Sequence, residues 1–225
     1  MVCVPLNAQH RRARRQWAVE HCEWGHGEWS SVLFSDESRF SLQSDNRRIL
    51  IWRERGTRNY PAHVREVSQY GGGGLMVWAG ISVGRRTPLH IIRNGTLTAL
   101  RYRDEILRPH VVPMAADIGD RFIFVDDNAR PHRARLVDAM LRDEGIERMV
   151  WPASSPDLNP IEHVWDTLGR RIAARPAPPT TLQQLEMALL EEWVDIPQAV
   201  VDNLIGSMQN RCAAVIAVHG DHMPY

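Results

Sequence analysis

Residues 124–166 read FVDDNARPHRARLVDAMLRDEGIERMVWPASSPDLNPIEHVWD, and the interpretation of the whole chain depends on them. The strand-like run at 121–125 ends in acidic residues that include Asp127. A helical pattern follows, and the proline-rich turn at 151–160 begins a second helix with Glu162 in its first turn. Carboxylates at a strand end and at a helix start are placed where a fold can direct both into one cleft.

A third acidic residue follows an apolar run nearer the N-terminus. Residues 31–34 predict a buried strand that ends at Asp36. Asp also caps turns after strands, so spacing alone leaves Asp36 with either a structural or a chemical role. Glu162 has two competing roles as well. With Asn159 as the helix cap, Glu162 would reach back to the backbone N–H of the cap and complete a capping box.

The order of the predicted elements indicates an α/β fold, a mixed sheet flanked by helices. Residues 44–47 predict the turn of a β-hairpin inserted after the first strand. The predicted strands are 31–34, 39–43, 48–52, 75–82, 88–93, 121–125 and 146–151, and the predicted helices are 98–107, 136–141, 161–172, 181–194 and 197–217. Pro109 and Pro113 are expected to interrupt helical structure after the first of these helices.

Composition excludes some protein classes. The 225 residues are enough for a substantial core, and no apolar run has the length of a membrane span or a signal segment. Formal net charge is zero, and all 27 basic residues are Arg. Residues 1–175 carry an excess of positive charge and 176–225 an excess of negative charge. The Arg usage fits either a coding bias or contacts with phosphate groups.

Three motifs in order, VLFSDESRF, DNARPH and WPASSPDLNPIEHVW, resemble the catalytic domain of mariner-type DNA transposases. The similarity runs from about Leu6 to Ile205. It implies a ribonuclease-H-like fold and an Asp-Asp-Glu site, with Asp36, Asp127 and Glu162 as catalytic residues and metal ligands. Two divalent ions, Mg²⁺ or Mn²⁺, are the implied cofactors.

Other residues border this implied site. The family usually has an uncharged glutamine at the position of Asp126, so either adjacent aspartate is a candidate ligand. Residues expected to support the site without binding metal directly are Asp126, Asn128, His132 and Asp166. Candidate contacts with DNA lie in a basic N-terminal segment and in the hairpin insertion: Arg11, Arg12, Arg14, Arg15, Arg47, Arg48, Arg53 and Arg55.

The resemblance implies that the protein cuts DNA at the ends of a mobile element and joins 3′ hydroxyls to target DNA. We expect a basic arm at 1–30, the catalytic domain at 31–175 and a helical extension at 176–225, without the helix-turn-helix modules of such transposases. The expected partners are transposon-end and target DNA and a second copy of the chain, with no membrane. The expected location is the nucleus in a eukaryote and the cytoplasm otherwise.

Two alternatives to this function stay open. The chain could be a catalytically silent module that binds DNA or protein and remains from a mobile element. It could also be a hydrolase of RNA–DNA hybrids, which a ribonuclease-H-like fold permits. Metal binding at the acidic residues would distinguish an enzyme from a silent module.

Overall fold

The structure, a computed structural model, describes residues 5–42 and 73–223. The strands are β1 (Val32–Ser41), β2 (Gly74–Ser82), β3 (Arg85–Arg86), β4 (His90–Ile92), β5 (Ile123–Val125) and β6 (Glu147–Arg148). Within the described residues they form one mixed sheet in the order β3-β2-β1-β5-β6, with β4 also paired to β2. Strand β1 is antiparallel to β2 and parallel to β5. The predicted mixed α/β sheet is confirmed.

Helices cover both faces of this sheet. They are α1 (Ala8–His21), α2 (His26–Trp29), α3 (Ala99–Arg101), α4 (Val112–Ile118), α5 (Arg135–Asp143), α6 (Ile161–Ala173), α7 (Leu182–Asp195), α8 (Gln198–Gly206) and α9 (Met208–Ala217). A π-helix at Tyr102–Val111 joins α3 to α4, and a short 3₁₀ turn at Pro156–Leu158 precedes α6. Among the described residues, no helix is long and apolar enough to cross a membrane.

Strand β1 is longer than the sequence predicted. Asp36 was expected to end it, but the strand continues to Ser41 and Asp36 pairs with Ala79 of β2. Because β1 is an inner strand, β2 supplies hydrogen-bond partners beyond the short stretch that β5 covers. The turn-capping role considered for Asp36 is therefore wrong.

The helical segment after β4 passes through both prolines that were expected to break it. Pro109 lies inside the π-helix and Pro113 lies in the first turn of α4. A proline clashes with the carbonyl four residues earlier in an α-helix, whereas the wider π-helical turn makes its bonds to the fifth residue. The Val112 N–H accordingly donates to the Leu107 carbonyl.

Two hydrophobic clusters lie on opposite faces of the sheet. One packs α1 and α6 to α9 against Phe34 and Val125, and the other packs the π-helix and α5 against Leu33 and Phe124. The predicted apolar stripe of α6 is confirmed, since all of its members are buried: Ile161, Val164, Trp165, Leu168 and Ile172.

Both ends of the chain contribute to the first cluster. Trp17 of α1 and Leu189 of α7 belong to the same set of buried residues as Phe34. The proposed division at residues 30 and 175 stays a prediction, although the three segments share this core. The predicted helix at 197–217 is two helices, because the chain bends at Ser207, whose hydroxyl donates to the Leu204 carbonyl.

The hairpin insertion lies mostly outside the described residues. Its predicted turn at 44–47 and second strand at 48–52 fall in the range 43–72, as do the candidate DNA contacts Arg47, Arg48, Arg53 and Arg55. Of the first predicted hairpin strand, residues 39–41 are the end of β1.

Candidate active site

The three acids proposed from the sequence line one cavity. Asp36 comes from the middle of β1, Asp127 follows the end of β5, and Glu162 is in the first turn of α6. The cavity has a volume of about 360 Å³, and the turn at 151–156 forms another part of its wall. Strands β1 and β5 are parallel neighbours in which Phe34 pairs with Val125. Asp36 and Asp127 each lie two residues further along, so they lie at the same level of the sheet.

Asp36 is held from the helix side of the cavity. The indole Nε1 of Trp165 donates to its Oδ2 over 3.2 Å. Burial first, and then the charge of Glu162, raise the pKa of Asp36 well above its usual value. Two carboxylates that share a site repel each other when both are ionised.

Glu162 does not form the capping box that the sequence allowed. The backbone N–H of Asn159, which that motif requires, donates instead to the Pro156 carbonyl over 3.0 Å. The Asn159 side chain bonds the Ile161 N–H and the Ser35 carbonyl. Burial, followed by the charge of Asp166, raises the pKa of Glu162. The capping interpretation is wrong, and the carboxylate remains at the cavity.

One oxygen of Asp127 already has two contacts. Oδ1 accepts the Ala129 N–H over 2.8 Å and lies 2.7 Å from Nδ1 of His132. Burial raises the pKa of Asp127, but the His132 and Ala129 contacts outweigh it and the pKa is lowered overall. Among the described residues, Oδ2 of Asp127 has no hydrogen-bond partner, so it is available to a ligand in the cavity.

Asp126 faces the other side of the sheet and does not line the cavity. It is almost fully buried, 2.9 Å from Nη1 of Arg133 and 3.4 Å from Nε of Arg148. Burial raises the pKa of Asp126, and the guanidinium groups of Arg148 and Arg133 limit that rise. The Asp126 carboxylate is taken up by Tyr102 and these arginines, and of the two adjacent aspartates only one lines the cavity. That residue is Asp127.

The other residues expected to support the site differ in position. Asn128 lines the cavity and donates from its Nδ2 to the Trp151 carbonyl over 3.0 Å. His132 is buried beside the cavity, in contact with Asp127 and Glu37. Burial alone would lower the pKa of His132, but those two acids raise it to about 10. Asp166 is exposed, one turn further along α6, and acts on Glu162 through its charge.

The basic N-terminal segment divides into buried and exposed residues. Arg14 is fully buried, so its predicted contact with DNA is wrong. It makes two hydrogen bonds of 2.6 Å to the carboxylate of Asp157, which lies in the turn that borders the cavity. Arg11, Arg12 and Arg15 remain on the exposed face of α1, where Arg11 pairs with Asp221 over 3.3 Å.

Sequence reasoning missed the residues that hold this turn. Besides Arg14, the guanidinium group of Arg211 in α9 donates to the backbone carbonyl of Asp157 over 2.7 Å. We call Arg14, Asp157 and Arg211 the anchor cluster. No local pattern reveals these pairings, because they join distant parts of the chain. The role of Trp165 had a weak signal, since a buried indole N–H needs an acceptor and Asp36 provides it.

The cavity is not closed around an ion. Within residues 5–42 and 73–223, no three His, Cys, Asp or Glu side chains are close enough together to hold a metal between them. The acids share a cavity wall, but Asp127 is turned towards His132 and Asp36 towards Trp165. The three acids therefore line one cavity, but in this arrangement the three side chains are not close enough together to bind the same ion.

Comparison with known proteins agrees with the three sequence motifs. Residues 31–185 match the sequence model of the DDE superfamily endonuclease family. The chain is 37% identical over 216 residues to the Tcb1 transposase of Caenorhabditis briggsae, covering 96% of this chain and 78% of that protein. It is 34% identical over 218 residues to the Tc1 transposase of Caenorhabditis elegans, covering 96% of this chain and 78% of the relative.

Solved structures of the Mos1 mariner transposase have the same fold. A paired-end complex of Mos1 with Mn superposes with a TM-score of 0.78 at 18% identity, covering 100% of this chain and 66% of the Mos1 chain. The isolated Mos1 catalytic domain gives a TM-score of 0.70 at 16% identity, with 100% of both chains covered. This chain thus spans slightly less than two thirds of the longer Mos1 chain. The chain belongs to the DDE superfamily endonuclease family and has the ribonuclease-H-like catalytic domain of Tc1/mariner-type transposases.

Proposed function

We propose that this domain cuts DNA at the ends of a mobile element and joins the freed 3′ hydroxyl to target DNA in a reaction that needs divalent metal ions. The observation that carries the proposal is the shared cavity of Asp36, Asp127 and Glu162. These residues come from three separate parts of the fold, and each lines the same cavity. The curated relatives are named as transposases, in agreement with this activity.

The donor chemistry of the cavity fits a hard divalent cation. Carboxylate oxygens are preferred ligands of Mg²⁺, and Mn²⁺ binds similar sites. Burial first, and then the charge of Glu162, raise the pKa of Asp36, and a cation in the cavity would favour its ionised form. Repulsion keeps such acids apart until a cation neutralises them. Solved Mos1 complexes contain Mn or Mg, which supports the same choice here.

We assign Asp36, Asp127 and Glu162 as the ligands of two ions. Such a pair would supply activation of the attacking oxygen and stabilisation of the leaving oxygen of a phosphodiester. The protein's own contribution is positional: Trp165 orients Asp36, and the Ala129 N–H orients Asp127. Positioning and charge stabilisation account for most of the rate in phosphoryl transfer, so fixing these carboxylates is the principal catalytic task of the fold.

DNA is the proposed substrate, and its backbone carries the charge that the exposed arginines of α1 can contact. Arg11, Arg12 and Arg15 present guanidinium groups on one face of that helix. Mos1 has been solved with paired transposon ends, and a dimer of this chain on two DNA ends is part of the proposal.

The test is Mn²⁺-dependent nicking of supercoiled DNA by the purified chain. We expect Asp36→Asn and Glu162→Gln to reduce the nicking rate by at least about 10²-fold, since each removes a ligand charge. Asp117→Asn, which changes an exposed acid outside the cavity, is the control and should retain the wild-type rate.

Equal nicking by the wild type and both cavity variants would overturn the assignment of these residues. A protein that binds DNA but neither binds Mn²⁺ nor nicks DNA would instead match the catalytically silent module. Faster cleavage of an RNA–DNA hybrid than of duplex DNA would favour the hydrolase alternative.

A further inference from the structure

Glu37 follows Asp36 directly on β1, but its side chain lies on the opposite face of the sheet. Asp36 contacts Trp165 on one side, whereas Oε1 of Glu37 lies 3.2 Å from Nε2 of His132 on the other. The Glu37 side chain is only 17% exposed. A buried acid needs a partner to offset the cost of burial, and His132 is the partner that the structure provides.

His132 is fixed in orientation by three separate contacts. Its ring stacks on Tyr102 with a centroid distance of 4.1 Å, and its backbone carbonyl accepts a hydrogen bond from Arg148. Glu37 holds Nε2. With the ring plane and one nitrogen held, the other nitrogen can point in one direction only, and Nδ1 lies 2.7 Å from Oδ1 of Asp127.

The chain of contacts from Glu37 to Asp127 crosses from one face of the sheet to the other. Oδ1 of Asp127 accepts the Ala129 N–H and is in close ion-pair contact with Nδ1 of His132, without the alignment of a hydrogen bond. The carboxylate therefore cannot rotate freely, and its second oxygen is the one left for the cavity. Groups that orient a metal ligand from outside the coordination shell typically change metal affinity by about 10- to 100-fold when removed.

We propose that Glu37 is a positioning residue, which acts through His132 to fix the Asp127 carboxylate so that Oδ2 faces a divalent cation in the cavity. This inference rests on the proposed function, because it assumes that Asp127 binds metal. Glu37 itself touches neither the cavity nor a reacting atom. Its role is to hold the imidazole, and an oxygen acceptor at the same place is sufficient for that.

The test measures Mn²⁺ binding to the full chain by calorimetric titration in Glu37→Ala and Glu37→Gln. We expect Glu37→Ala to weaken Mn²⁺ binding by about 10-fold or more, and Glu37→Gln to remain within about threefold of the wild type, because its amide oxygen still accepts from Nε2. Glu105→Ala is the matched control. Glu105 also faces a histidine, His90, at 3.7 Å but lies outside the cavity, so its loss should leave Mn²⁺ affinity unchanged.

A second readout needs no metal. In ¹⁵N-histidine spectra of the metal-free chain, the Nε2–H signal of His132 reports the contact with Glu37. This signal should be protected from exchange with water in the wild type and in Glu37→Gln. It should be lost in Glu37→Ala. Wild-type Mn²⁺ affinity in Glu37→Ala would overturn the proposal, and so would equal weakening by Ala and Gln. If Glu37→Ala fails to fold, Glu37→Asp replaces it, because its side chain is shorter by one methylene and its oxygen no longer reaches Nε2. Glu37→Asp should show the same loss of Mn²⁺ affinity. Unchanged Mn²⁺ affinity in Glu37→Asp would overturn the proposal.

Asp36→Asn separates this proposal from the function on which it rests. If Asp36→Asn binds Mn²⁺ as well as the wild type does, the metal site itself is wrongly placed. If Asp36→Asn loses Mn²⁺ while Glu37→Ala retains it, the metal site stands and the positioning role of Glu37 is wrong.

Discussion

Asp157 and Glu162 belong to the same turn-and-helix segment, yet their surroundings are opposite. Asp157 is in the anchor cluster, with both carboxylate oxygens bonded to Arg14 and its carbonyl bonded to Arg211. Glu162 faces the cavity, where its neighbours include Asp36 and Asp127. Asp157 has its cation within the chain, whereas the described part of the chain shows no ion pair between a basic side chain and Asp36 or Glu162.

The two regions are also mechanically connected. The anchor cluster joins α1, α9 and the terminal residues around Gly220 to the back of the turn at 151–156, which forms one wall of the cavity. Arg14 also donates to the carbonyl of Ser154, a residue that lines the cavity. The basic N-terminal segment thus supports the site from behind through Arg14, while its exposed arginines face solvent.

The largest expected change in stability comes from removing a member of the anchor cluster. Arg14→Ala should lower the free energy of unfolding by about 3–5 kcal/mol, because it leaves Asp157 buried without its cation. Urea unfolding of the metal-free chain measures this. Arg12→Ala, on the exposed face of the same helix, should change it by less than about 0.5 kcal/mol. A loss below about 1 kcal/mol for Arg14→Ala would remove the contrast between the two regions.

The second expected effect is stabilisation of the fold by a bound divalent cation. Mn²⁺ at about 100 times its dissociation constant should raise the free energy of unfolding by about 2.7 kcal/mol. Thermal melts with and without Mn²⁺ should show the rise in the wild type and not in Glu162→Gln, which lacks a cavity charge. The same shift in both proteins would mean that the ion binds elsewhere.

The smallest expected effect is the loss of stability that ionisation of the buried Asp36 causes in the absence of metal. Burial and then Glu162 raise the pKa of Asp36, so the folded state binds this proton more tightly than the unfolded state does. Ionisation therefore destabilises the fold as the pH rises above the unfolded value near 3.8, and the penalty is absent below it. Asp36→Asn should raise the free energy of unfolding at pH 7 by about 1 kcal/mol.

Urea unfolding at pH 7 and near pH 4 measures this difference, which should shrink at the lower pH. Asp157→Asn is the matched comparison and should destabilise the chain at pH 7, because it weakens the pairing with Arg14. If both substitutions change stability in the same direction, the distinction between Asp157, which is paired with Arg14, and Asp36 is wrong.

Local patterns predicted much of the fold because they report local physics. The apolar stripe of α6 follows from helical spacing, and the end of α5 follows from Gly145, whose positive φ of 67° suits glycine after a helix. The extension of β1 past Asp36 was not predictable in this way. It depends on hydrogen bonds from β2, a strand that is distant along the chain.

The candidate site shows the same division. Its three acids were proposed from motif residues, and the structure brings these acids to one cavity wall. The choice between Asp126 and Asp127 needed the direction of each side chain relative to the sheet. Whether Glu162 caps its helix or lines the cavity was decided by the hydrogen bond of the Asn159 N–H, which donates to the Pro156 carbonyl and not to Glu162.

The sequence by itself determined the class of the protein, since its motifs and their order identify a DDE catalytic domain and the residue types that can bind metal. Only the tertiary structure decided which charges are paired. Arg14 meets Asp157 across 143 positions of the chain, and Glu37 meets His132 across 95. Pairing depends on distance and burial, and both are created by contacts between remote segments, so no local pattern of residues encodes them.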